Sequence, residues 1–296
     1  SVKESTRTTS FTYDLSGEML SLTDPLLKKT SWTRDSMGNK LTEADPSSNV
    51  TKYDYDVIGR LTKLTDPDTK ITSYTYDGNG NLLTIQTAAG ITINTFDSEN
   101  RLLKSTLPNG AVTNFSYNSS GSLVGVKDAM DTTTSYGLDV YQNMVFNSNG
   151  LNKITSYQYD PLNRRVNEKS PLNNETRWEY DANGNIVKKT DPNASSIIYT
   201  YDAFNRLIKK TYPDGKFVTY TYDNRGNMVK MIDLIGTSTY TYDNFDRLTK
   251  ALNPFGQTIS YTYNNADKLT KITYPDGKGV TYAYDNSHRL TKVTDW

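Results

Sequence analysis

The feature that most constrains this chain is a period. A tyrosine, or a residue standing in its place, precedes a turn at Tyr13, Arg34, Tyr55, Tyr76, Phe96, Tyr117, Leu138, Tyr159, Tyr180, Tyr201, Tyr222, Tyr242, Tyr263 and Tyr284. Successive positions lie 21 residues apart, except for two intervals of 20, Tyr76 to Phe96 and Tyr222 to Tyr242. A spacing held over fourteen units marks a repeat architecture, in which each unit buries a face only by stacking on its neighbours.

Inside each unit the pattern is that of strands. Tyr220-Thr221-Tyr222 and Tyr240-Thr241-Tyr242 alternate with period two, as a β-strand requires. Asp223 and Asp243 follow, and an aspartate opens a turn because its carboxylate accepts backbone N–H groups two residues on. Three residues after that aspartate comes Gly17, Gly38, Gly59, Gly80, Gly121, Gly184 or Gly226, or else Asn100, Asn163, Asn205, Asp246, Asp267 or His288. These types tolerate positive φ, which predicts a type I turn followed by a left-handed residue. A second strand such as Leu269–Thr273 follows, and a second turn closes it, as in Pro275-Asp276-Gly277 or Pro108-Asn109-Gly110. Short connections dictate antiparallel neighbours.

The expected fold is therefore all-β: tandem antiparallel β-hairpin repeats forming a coiled single-layer ribbon or hollow shell wall, with residues 1–296 as a single array. Laid flat, its strands would run roughly 130 Å at about 4.8 Å each, and native twist forces so wide a sheet to curl. The repeat register runs up to Trp296, so the array reads as a piece of a longer chain with both ends uncapped. Fourteen units look few for a closed cocoon, which favours a partial wall or open coil.

Composition narrows the function. Only 35% of the chain is hydrophobic, 23 residues are tyrosine, and mean hydropathy is -0.69, so a thick dry core is not expected. Thirty-three basic and thirty-three acidic residues cancel, leaving no global field to draw nucleic acid or an anionic membrane. No apolar run approaches the length of a bilayer span. Cysteine is absent, which removes disulfides, thiolate nucleophiles and Cys-ligated zinc.

No catalytic, cofactor or metal constellation emerges. His288 is the single histidine and occupies the left-handed turn slot. Asp14, Asp56, Asp77, Asp181, Asp202 and Asp223 fall one per hairpin along an edge rather than converging in a cleft, as acid/base work would need. Asp77-Gly78-Asn79-Gly80-Asn81 and Asp181-Ala182-Asn183-Gly184-Asn185 have a calcium-loop flavour but lack the distal bidentate glutamate.

A three-residue turn predicts Tyr222 opposite Met228, Tyr220 opposite Lys230, Tyr201 opposite Leu207 and Tyr263 opposite Leu269. One face then carries tyrosine, leucine and lysine, the other threonine, valine and isoleucine; such cross-strand pairs contribute roughly 0.2–1 kcal/mol each. Lys63, Lys104, Lys188, Lys209, Lys230, Lys250, Lys271 and Lys292 share one offset. Beside the tyrosines they suggest a glycan-binding ladder of Tyr201, Tyr222, Tyr242, Tyr263, Lys209, Lys230, Lys250 and Lys271, against the simpler reading of a solvated row that keeps a wide sheet soluble.

The unit Tyr55-Asp56-Val57-Ile58-Gly59-Arg60-Leu61, recurring in register, resembles the YD/RHS repeat family of bacterial polymorphic toxins, toxin-complex subunits, wall-associated proteins and teneurins. Trp32-Thr33-Arg34-Asp35 and Gly137-Leu138-Asp139 are its weakest copies. The resemblance implies a hairpin ribbon spiralling around a hollow interior, which in the toxins encloses a toxic segment released by aspartyl self-cleavage. No core segment for that cleavage is found here, so it is carried over to no residue. The expectation is a non-enzymatic encapsulating scaffold of a large secreted or surface-exposed bacterial protein, without a cofactor. Its partners would be a cargo segment of its own chain or neighbouring repeats. Alternatives are a polysaccharide-binding adhesive module and a filament that self-assembles end to end through exposed edge strands.

Overall fold

The computed structural model describes residues 7–296. They form 28 strands of five to seven residues, beginning with Arg7–Tyr13 and ending with Leu290–Asp295, and no helix. Alternate strands are the first and second members of each repeat, as the period predicts. The chain separates into two compact units: one comprises the residues up to Lys70 together with Val218–Trp296, the other Ile71–Phe217. In the second unit each strand pairs antiparallel with its sequence neighbours, from Ile71–Tyr76 through to Leu207–Thr211. In the first unit the ladder runs from Leu61–Thr65 back to Arg7–Tyr13, and again from Leu290–Asp295 back towards Phe217–Tyr222.

Those two runs meet. The first strand pairs antiparallel with the last, Thr8 opposite Thr294 and Ser10 opposite Lys292. This corrects the expectation of two uncapped ends. The edges are complementary because both are made of the same repeat.

Each turn is the same device used twice. In the first turn of the opening repeat the Asp14 N–H donates to the Glu18 carbonyl (2.9 Å) and the Gly17 N–H to the Asp14 carbonyl (3.2 Å). In its second turn the Asp24 N–H donates to the Lys28 carbonyl and the Leu27 N–H to the Asp24 carbonyl. The fourth residue is left-handed in both, with φ of 94° at Gly17 and 61° at Leu27. The two 20-residue repeats lose one residue at their second turn. There Thr87 pairs with Gly90 around a two-residue loop, and the Asp233 N–H donates to the Gly236 carbonyl.

A bulge follows every first turn and corrects the predicted register. Tyr222 does lie opposite Met228, but the next pairs are Thr221 with Lys230 and Tyr220 with Met231. Val229 is the extra residue. Beyond the bulge every side chain of the second strand swaps face, because the strand period is two.

Packing is one layer deep. No hydrophobic side chain is buried among the described residues, and the buried residues there are Ser21, Ser148 and Ser238, with Gly125. Large apolar side chains instead stand exposed at the turn tips, Leu15, Val57, Met130 and Val140 among them. Stability has to come from many half-buried cross-strand pairs rather than from a core. No helix among these residues is long and apolar enough to cross a membrane.

Candidate functional site: the interlocked first turns

The richest chemistry lies in the first turns, and it begins with the turn aspartate. One oxygen of Asp77 accepts the backbone N–H groups of Asn79 (2.9 Å) and Asn81 (2.8 Å), while the other accepts from the Asn81 side-chain amide (2.8 Å). Asp181 is bonded in the same way by Asn183 and Asn185. These carboxylates are thus engaged by their own turns, as their turn-forming role requires. The Asn81 and Asn185 amides hold the Asp77 and Asp181 carboxyls below the ordinary 3.8. At Asp56, Asp160 and Asp285 the backbone N–H of the following arginine has the same effect, reinforced by its guanidinium. No group of three or more His, Asp or Glu side chains is arranged to hold a metal among the described residues.

The residue after the left-handed slot then reaches forward into the next repeat, by one of two routes. Where it is arginine, Nε bonds the turn aspartate of its own repeat, as Arg164 does with Asp160 (2.7 Å). Its Nη1 crosses to the next turn, Arg164 donating to the Asp181 carbonyl and Arg247 to the Asn264 carbonyl, both at 3.1 Å. The guanidinium lies over the tyrosine of that next repeat: Arg101 on Tyr117 (4.9 Å), Arg164 on Tyr180 (4.6 Å) and Arg247 on Tyr263 (4.8 Å). Where the residue is asparagine and the next left-handed slot carries a side-chain oxygen, its amide instead donates to that oxygen. Asn81 reaches Asn100, Asn143 reaches Asn163, Asn185 reaches Asn205 and Asn227 reaches Asp246.

Over much of the array the two routes alternate, the break falling between Arg101 and Arg164, where Ser122 and Asn143 stand in succession. Gly80-Asn81 is followed by Asn100-Arg101, Gly184-Asn185 by Asn205-Arg206, and Gly226-Asn227 by Asp246-Arg247. A forward-reaching asparagine needs an acceptor ahead of it, so Asn or Asp fills the slot after Asn81, Asn143, Asn185 and Asn227, whereas Gly59 follows Asn39. An arginine needs room, so Gly tends to fill it: a Cβ on Gly121 would lie 3.3 Å from Arg101 Nη1. Where the alternation holds, the repeating unit is a pair of hairpins. Sequence reasoning missed this, although the signal stood in the dipeptides Gly-Asn and Asn-Arg.

The weak repeats obey the same logic. In the first junction the arginine slot holds Glu18 and the tyrosine slot holds Arg34, and the two form an ion pair (3.4 Å) with the positive group on the opposite side. In the seventh repeat Gly137 stands opposite Phe146, whose ring occupies the space that a Cβ on Gly137 would take.

The predicted Tyr/Lys ladder does not assemble. Tyr201, Tyr222, Tyr242 and Tyr263 pair with Leu207, Met228, Leu248 and Leu269 on one face. Lys209, Lys230, Lys250 and Lys271 pair with Thr200, Thr221, Thr241 and Thr262 on the other, because of the bulge. The tyrosine hydroxyls are also engaged. Tyr201, Tyr242 and Tyr263 donate to the Ile186, Met228 and Leu248 carbonyls at 3.0, 3.1 and 3.0 Å, each in the preceding repeat. Partial desolvation pushes these three phenols up from their ordinary value. On the other face Lys209 caps the Phe217 ring at 4.6 Å. His288 sits in the left-handed slot at φ 62°, as expected.

Comparison with known proteins agrees with this geometry. The RHS Repeat model matches residues 35–71, 55–92, 159–196, 180–216, 201–233, 247–278 and 263–296, more than half of the chain. No curated protein matches. Among solved structures, a Photorhabdus luminescens Tc holotoxin pore is similar over 97% of this chain at 19% identity, with a TM-score of 0.57. The TcdB2-TccC3 complex is similar over 97% at 19% identity, and the same complex without its hypervariable C-terminal region over 97% at 18%, both with TM-scores of 0.57. The chain spans less than a fifth of those chains, 18% of the holotoxin chain and 19% of TcdB2-TccC3. With the hairpin, its turn aspartate and its forward-reaching arginine all repeating in register, the chain belongs to the RHS repeat family.

Proposed function

We propose that this chain is a length of wall: a non-enzymatic scaffold segment of a large secreted or surface-exposed bacterial protein, which shields a polypeptide carried in the same chain. The observation that carries this reading is where the bonding groups are spent. Turn carboxylates, asparagine amides, arginines and tyrosine hydroxyls are bonded within a repeat or across to the next one. Such an arrangement holds a thin sheet together and makes a barrier. The similar solved folds support the reading, since they are a toxin pore and a complex studied with and without a hypervariable C-terminal region.

Limited proteolysis of the full-length gene product tests it. The segment carried with the array should resist cleavage in the natural protein. It should become cleavable when Arg101→Ala and Arg164→Ala remove two cross-repeat contacts, while far-ultraviolet circular dichroism still reports folded sheet. Cleavage at the same rate in both proteins would overturn the shielding role.

A further inference from the structure

The seam between the first and last strands copies an ordinary junction between repeats. Lys271 pairs with Thr281, Ile272 with Val280 and Thr273 with Gly279 where one repeat passes to the next. At the seam Lys292 pairs with Ser10, Val293 with Thr9 and Thr294 with Thr8, the same register counted from the preceding tyrosine. One further pair, Arg7 opposite Asp295, adds opposite charges.

The turn contacts are copied too. Arg289 Nε bonds its own Asp285 (2.7 Å), and Nη1 donates to the Asp14 carbonyl (2.8 Å) although the residues lie 275 apart in sequence. Its guanidinium covers the Tyr13 ring at 5.0 Å, as Arg164 covers Tyr180 at 4.6 Å. Gly17 fills the next left-handed slot, where a Cβ would lie 3.5 Å from Arg289 Nη1, matching Gly121 beside Arg101. The alternation of arginine and glycine is thus kept across a junction that no short turn enforces.

We propose that this seam is an exchangeable junction, which a second copy of the chain can complete. Every group in the seam, Arg289, Asp14, Tyr13, Gly17 and both strand edges, is carried by each copy in the same register. A second copy therefore offers its first strand to this copy's last strand and re-forms the same hydrogen bonds and the same Arg–Tyr stack. Two copies join head to tail through two such junctions. Pairing within one chain dominates when dilute, because its ends are each other's nearest partners, and exchange grows with concentration.

The chain's lack of cysteine makes the test clean. Chains carrying Thr8→Cys and Thr294→Cys singly, with tags of different size, are mixed, unfolded, refolded together over a range of concentrations and oxidised. A Thr12→Cys chain mixed with Thr294→Cys serves as the out-of-register control. The double variant T8C/T294C, refolded dilute, reports closure within one chain. Exchange predicts a disulfide-linked heterodimer whose yield rises with concentration and exceeds the control several-fold, while the dilute double variant runs as an internally bridged monomer. An internally bridged double variant with no heterodimer above the control would overturn the proposal and leave the seam strictly internal. Failure of the double variant to bridge would overturn it as well, since the seam would not form.

Discussion

Leu27, Ser48, Thr69 and Ala194 hold φ at 61°, 65°, 67° and 63° in second turns, where first turns use Gly, Asn, Asp, Gln or His. A side chain branched at Cβ is the most strained occupant of that region. Thr69 is tolerated because its N–H closes the turn onto the Asp66 carbonyl at 3.0 Å and the flanking strands fix the rest. Thr69→Gly should therefore raise stability by about 1 kcal/mol, the left-handed strain relieved exceeding the extra freedom given to the unfolded chain. Urea denaturation measures it, and an unchanged or lower midpoint would show that the strain is absorbed elsewhere. The turn residues were legible in the sequence at this scale, because Asp, Gly and Asn each have a local reason to be there. In the second-turn slot Gly110 and Gly277 were legible in the same way, but Leu27 and Thr69 were not, since nothing in either announces positive φ.

At the scale of the hairpin, the turn aspartate is the element's fastener, and its chemistry predicts a pH response. Asp35, Asp77, Asp139 and Asp181 are each held below 3.8 first by the side-chain amide of an asparagine four residues on, and Asp56, Asp160 and Asp285 first by the backbone N–H of an arginine. A carboxyl whose folded pKa is depressed gives stability that is complete above its unfolded pKa and lost as pH falls through the folded one. Each contribution is small because the groups face solvent, but the turns repeat. Denaturation midpoints should stay flat from about pH 8 to about pH 5 and fall steadily below about pH 4. A flat profile down to pH 3 would mean that the carboxylates are dispensable. The pairing of Tyr201 with Leu207 and Tyr263 with Leu269 was readable from turn length. The bulge was not, because Met228-Val229-Lys230 looks like any other stretch of strand while one of its residues is unpaired. That single residue sends the lysines to the threonine face and undoes the mixed ladder.

For the molecule as a whole, the period made the all-β repeat fold readable from the sequence. The alternation of Gly-Asn with Asn-Arg needed the structure, because each residue's partner lies about twenty positions ahead rather than beside it. The seam was the least accessible feature: Arg289 and Asp14 meet although 275 positions separate them in sequence. The absence of buried hydrophobic side chains among the described residues carries a calorimetric consequence. Unfolding an ordinary domain raises its heat capacity by about 12–15 cal/mol/K per residue, because hidden apolar surface meets water while exposed polar surface offsets part of the rise. Here little apolar surface is fully hidden, so the rise per residue should fall well below that range, and a value within it would mean that the sheet is drier than its single layer implies. A small heat-capacity change flattens the free-energy curve against temperature. Such a sheet would keep a similar margin of stability in cold and in warmth.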